Sequence, residues 1–107
     1  MGIFDFDNKE ITNELLEHEG WDPKVIVKSR GKCWVKNITT LRPSSISQNL
    51  WHETWDRFLF EPDKMRVTYL NVSDGDHWIQ TNVNDYQDIL IFIESVLNKL
   101  NHKRINH

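Results

Sequence analysis

The 107-residue chain predicts an α+β fold, an antiparallel sheet of about five strands with an N-terminal helix and a long C-terminal helix packed on it. Three observations lead there. Tyr86, Ile89, Leu90, Ile93, Val96, Leu97 and Leu100 recur at helical spacing behind Asn84-Asp85, an amphipathic helix with its cap. Two segments rich in β-branched and aromatic residues fold back on themselves across Arg30-Gly31 and across Asp74-Gly75, which are hairpin signals. A shorter periodic stretch, with Ile11, Leu15 and Leu16, precedes them and supplies the first helix.

In chain order, Asn8 is the expected N-cap of a helix running from Lys9 to about Glu19, with Glu10 in its first turn and Gly20 as its stop. Trp21-Asp22-Pro23 turns the chain, because a residue before proline avoids the helical region. Val25 to Ser29 and Lys32 to Ile38 form the first hairpin, and residues 39–50, rich in Thr, Ser and Asn, read as a polar connection. Residues 51–60 fit two readings: Trp51, Trp55, Phe58 and Leu59 lie at helical spacing, but Phe58-Leu59-Phe60 can pair across Glu61 to Lys64 with Met65-Arg66-Val67, which favours a strand over about 56–60. Met65 to Val72 and His77 to Val83 form the second hairpin across Ser73 to Asp76. The chain reads as a single domain over 1–107, with about 101–107 a frayed polar tail.

Composition narrows the class of function. A chain of this size buries roughly 65% of its unfolded surface, enough for one core without disulfides or a structural metal. The longest apolar run, Ile89 to Ile93, is far below the 20 or so residues a bilayer requires, and Met1 to Asp7 lacks the basic and apolar regions of a secretory signal. Cys33 is the single cysteine, so an internal disulfide is excluded and a cytoplasmic protein is expected. The net charge of −3 is partitioned: residues 1–22 carry −6, 23–50 carry +6, 51–98 carry −6 and 99–107 carry +3. Blocks of this kind either neutralise one another in the fold or make an acidic face that steers a basic partner.

Catalytic equipment is thin. His52-Glu53-Thr54-Trp55-Asp56 begins like the H-E-x-x-H zinc motif, but Asp56 stands where the second His belongs and a third ligand is missing. Asp74-Gly75-Asp76-His77 places two carboxylates and an imidazole on one turn, yet lacks the length and the final Glu of a calcium loop. Cys33, mid-strand between Lys32 and Trp34, reads as a buried inert thiol. Phosphate-cradling glycine loops are absent, so the sequence implies no cofactor, no metal, no catalytic residue and no enzyme.

Binding is the better supported class. Five Trp in so small a chain exceed what its core holds, and Trp55 with Glu53 and Asp56, and Trp78 with Asp74, Asp76 and His77, combine aromatic anchors with an acidic rim. A small, acidic, aromatic-rich α+β chain without catalytic motifs resembles the immunity proteins of bacterial toxin–immunity pairs, including those of contact-dependent growth inhibition. The resemblance is one of size, charge and layout. It implies a cytoplasmic inhibitor that binds a cognate toxin domain, often a basic nuclease, and blocks its active site. The rival readings are a nucleic-acid-binding module built on the basic 28–42 hairpin around Trp34, which the acidic balance disfavours, and a small metal-dependent hydrolase using His52, Glu53 and Asp56. Self-association through Ile91 and Phe92, which fall off the main stripe of the last helix, is a further expectation for partners.

Overall fold

The computed structural model describes residues 10–27, 31–44, 50–71 and 78–105, with the backbone alone for 24–27, 71 and 78. The elements are α1 (Asn13–His18), β1 (Asp22–Val27), β2 (Gly31–Pro43), β3 (Trp51–Glu61), β4 (Arg66–Asn71), β5 (Trp78–Asn82), α2 (Tyr86–Leu100) and β6 (Lys103–Arg104). The fold is α+β: the five longer strands form an antiparallel meander in the order β1-β2-β3-β4-β5, and β6 pairs with β2. β1 meets the first part of β2 at 31–35 and β6 meets it at Thr40 and Leu41, so both share one edge of that long strand. No helix among the described residues is long and apolar enough to cross a membrane.

The first helix is shorter than its periodicity predicts. Thr12, in extended backbone, caps it by accepting a hydrogen bond from the Leu15 amide at 3.1 Å, whereas Asn8 lies outside the described residues. Ile11 and Leu16 occupy the two positions of a hydrophobic staple around that cap, and both belong to the core. Gly20 at φ 87° then closes the helix: its amide donates to Glu17 and the Trp21 amide donates back to the Leu16 carbonyl at 2.9 Å. The second helix is capped by Asp85, which accepts from the Asp88 amide, while the Asp88 carboxylate accepts from the Asn84 amide at 2.8 Å. It ends as the first does, with Asn101 at φ 57° and the His102 amide donating to the Leu97 carbonyl at 2.9 Å.

Strand lengths depart from expectation in one direction. β2 continues through Thr39, Thr40 and Leu41 to Pro43, where a polar connection was expected, and β3 takes up all of 51–61 in place of 56–60. The cause is mutual: ten consecutive register pairs, from Trp34 with Phe60 to Pro43 with Trp51, give each strand the other's hydrogen bonds. Burial along β3 alternates, with Thr54, Asp56, Phe58 and Phe60 turned inward, which settles the ambiguity of this segment for a strand. The Ser73 to Asp76 turn lies outside the described residues.

Both helices pack on one face of the sheet. Leu16 of α1 and Ile89, Ile93 and Val96 of α2 meet Phe58, Phe60 and Val67 in a single buried cluster. Phe92, expected off the stripe, stands at i+3 from Ile89 and is buried, edge-on to Phe58 with ring centroids 6.1 Å apart. Leu90 and Ile91 remain exposed. A smaller cluster of Cys33, Val35 and Leu59, joined by Leu70, lies on the other face of the sheet.

The residues expected to form a frayed tail are built in. His102 is buried beneath the sheet, β6 follows it, and Lys103 places its ammonium 4.3 Å from the centre of the Trp51 ring. Residues 106–107 lie outside the description.

Candidate protein-interaction face

β3 presents two chemically different rows, because successive side chains of a strand point to opposite sides. On the face remote from the helices stand Glu53, Trp55 and Arg57, all exposed. Trp55 is 66% exposed, the most open of the large hydrophobic side chains among the described residues. β2 supplies their neighbours: Thr39 is opposite Trp55 and Asn37 is opposite Arg57. These four residues line a shallow concavity of about 330 Å³. The Arg57 Nε donates to Asn37 Oδ1 at 3.2 Å, which holds the guanidinium beside the indole. On β4, Leu70 takes the register position across from Arg57, and Trp78 on β5 takes the position across from Leu70.

On the inner row lies a polar cluster that the sequence reading did not find. The Asp56 carboxylate, fully buried, accepts from the Thr40 hydroxyl at 2.6 Å and the Tyr69 hydroxyl at 2.7 Å, and His102 Nδ1 is 2.9 Å away. Burial pushes this carboxyl up, but hydrogen bonds from Thr40, His102 and Tyr69, with the nearby His102 charge, outweigh it and hold the group below its ordinary value. Among the described residues no buried side-chain nitrogen or oxygen lacks a partner. The cluster is enclosed, and its chemistry is that of a buried carboxylate whose hydrogen bonds are satisfied.

Asp56 is therefore a correction to the predicted binding rim: inward alternation on β3 takes its carboxylate into the core, where substrate or partner has no access to it. Glu53 and Trp55 are on the surface as expected, on the same face. Asp74, Asp76 and His77 lie outside the described residues, and of Trp78 only the backbone is described. Arg57, Asn37 and Thr39 were missed. The signal that finds them is the parity of β3 and β2 taken together, which requires knowing that 51–55 is strand.

The same parity bears on the rival readings. Trp34 is only 8% exposed and belongs to the main core, so it offers no stacking surface on the basic hairpin. Lys36 turns inward, its ammonium donating to the Glu19 carbonyl at the end of α1 at 2.7 Å; burial lowers its pKa, which the Glu19 charge opposes and Arg104 reinforces. One base of the 23–50 block is thus spent on the acidic helix. Lys28 and Arg30 lie outside the described residues. His52 and Glu53 are adjacent on a strand and point to opposite faces, unlike the helical spacing that lets H-E-x-x-H hold zinc. Among the described residues, no three His, Cys, Asp or Glu side chains are grouped to hold a metal ion. Cys33 is fully buried.

No protein-family model matches the chain, and no curated protein or solved structure is significantly similar to it.

Proposed function

We propose that this chain is a non-catalytic protein-binding inhibitor of the immunity type, which blocks a cognate toxin domain through the sheet face around Trp55. The observation that carries the reading is the 66% exposure of Trp55 in a concavity shared with Arg57, Asn37 and Thr39. Trp and Arg are the residues most enriched among interface hot spots, and here both stand on the central strand of a meander, where hydrogen bonding to β2 and β4 fixes their positions. Side chains held this way lose little conformational entropy on binding. The partner favoured by the chain's overall charge of −3 is basic, a nuclease domain being the expected type. Glu53 on this face supplies acidic charge, and Asp74 and Asp76, expected from the sequence to join an acidic rim, lie outside the described residues.

The test is affinity purification of the tagged chain from its own source, at near-physiological salt and after nuclease treatment, with native protein and Trp55→Ala side by side. A basic polypeptide bound one-to-one by the native chain, with affinity reduced about 100-fold or more by Trp55→Ala, is the expected result. Recovery of nucleic acid alone, or of a polypeptide that Trp55→Ala retains equally, overturns the reading.

A further inference from the structure

We infer that the exposed stretch around Trp55 is self-complementary and docks a second copy of this chain across a two-fold axis. Glu53, Trp55 and Arg57 occupy alternate positions of β3 and share one side of the sheet, in the order carboxylate, indole, guanidinium. A two-fold axis in the interface plane, perpendicular to β3, reverses that order in the second copy. Arg57 then faces Glu53 of the second copy, Glu53 faces its Arg57, and the two Trp55 rings meet at the axis.

The dimensions agree with such a contact. Four residues of extended chain separate Glu53 from Arg57 by about 13 Å, so the two ion pairs flank the indoles instead of crowding them. The charges are also available. Among the described residues Glu53 has no ion-pair partner, and Arg57 uses only its Nε, on Asn37.

Charge order decides the occupant. A nucleic acid strand presents anions alone and meets the Glu53 carboxylate unfavourably. A surface carrying a cation, an apolar ring and an anion in the reverse order satisfies all three, and the chain's own stripe is that surface. The inference uses the face assigned above to inhibitor binding but a different occupant, so a toxin domain binding there displaces the second copy.

The experiment is the solution mass by light scattering and sedimentation equilibrium, from micromolar to near-millimolar protein, for the native chain, Trp55→Ala, Arg57→Glu and the double variant Glu53→Arg with Arg57→Glu. Circular dichroism verifies that each is folded. The native mass is expected to rise from 12.8 kDa toward twice that value with concentration. Trp55→Ala and Arg57→Glu are each expected to raise the dissociation constant by about 100-fold or more, and the double variant, self-complementary again with its charges exchanged, to recover dimerisation. A native chain that stays at 12.8 kDa throughout overturns the inference. So does a dimer that Trp55→Ala leaves intact, which transfers the contact to a surface such as Leu90 and Ile91, or a double variant no better than Arg57→Glu. A monomer that still captures a polypeptide through Trp55 refutes the dimer and leaves the inhibitor reading standing. A Trp55-dependent dimer that captures none does the reverse.

Discussion

Replacing Asp56 by alanine is expected to bring the protein close to unfolding. The substitution removes the acceptor for the Thr40 and Tyr69 hydroxyls, at 2.6 and 2.7 Å, and the partner of His102 Nδ1 at 2.9 Å, all of them buried. Each of the three buried groups deprived of its partner costs about 1–3 kcal/mol. Relief of the carboxylate's own desolvation and entry of a water molecule offset part of this, which leaves a loss of about 4 kcal/mol. A domain of this size has a total stability of about 5–15 kcal/mol. With a urea slope of about 1.5 kcal/mol/M, the unfolding midpoint falls by roughly 2.5–3 M. Asp56→Asn keeps one acceptor oxygen and the shape, and is expected to cost about 1–2 kcal/mol.

The two variants also separate in pH. The Asp56 carboxyl lies below its ordinary value in the folded protein, so the unfolded chain binds the proton first as pH falls. Its contribution is complete above the unfolded value of about 3.9 and disappears as pH drops through the lower folded value. The Asp56 carboxylate's share of the stability difference between native protein and Asp56→Asn therefore shrinks below about pH 4. Urea titrations followed by far-ultraviolet circular dichroism at several pH values measure both effects. A loss under about 1 kcal/mol for Asp56→Ala, or a native-to-Asn difference that does not shrink in acid, refutes the assignment of this carboxylate as a charged, fully bonded core group.

Trp55→Ala, at an exposed position, is expected to change unfolding stability by no more than about 0.5 kcal/mol in urea titration, which separates its binding role from a structural one. Tyr86→Phe deletes the hydroxyl that accepts from the Trp21 indole nitrogen at 3.0 Å; with Trp21 buried, a loss of about 1–2 kcal/mol is expected from thermal or urea unfolding. Met65, at φ 47° in the turn between β3 and β4, is in a conformation that L-residues disfavour, so Met65→Gly is expected to raise stability by about 0.5–1 kcal/mol and the melting temperature by about 2–6 °C. Once a basic partner is in hand, reversing the charge of Asp74 and Asp76 is expected to slow association more than it speeds dissociation; an unchanged on-rate in stopped-flow binding removes these residues from the steering role.

What was legible in the sequence was local. The α2 stripe and its Asp85 cap depend on spacings within one helix, and the hairpin between β4 and the strand before α2 on alternation around a turn. β3 was harder because Trp51, Trp55 and Phe58 fit helical spacing, and only the hydrogen bonds offered by β2 and β4 exclude it. The Thr40, Asp56, Tyr69 and His102 cluster was hidden for the same reason: its partners lie 16, 13 and 46 residues from Asp56. An acidic residue sharing its parity with Phe58 and Phe60 was the one local sign that its carboxylate turns inward. At the candidate face, Trp55 is exposed as the sequence suggested, whereas its neighbours Arg57, Asn37 and Thr39 required the register between two strands.

Both helices close by sending the next residue's ring inward to a polar group far along the chain: Trp21 to Tyr86, 65 residues on, and His102 to Asp56, 46 residues back. These closures make late synthesis a condition of folding. A nascent chain stalled before residue 102 holds the sheet strands β1 to β5 but lacks the imidazole that lies 2.9 Å from the buried Asp56 carboxylate. The meander therefore gains its full stability only after the end of α2 has left the ribosome, although its five longer strands each pair with a neighbour in the sequence.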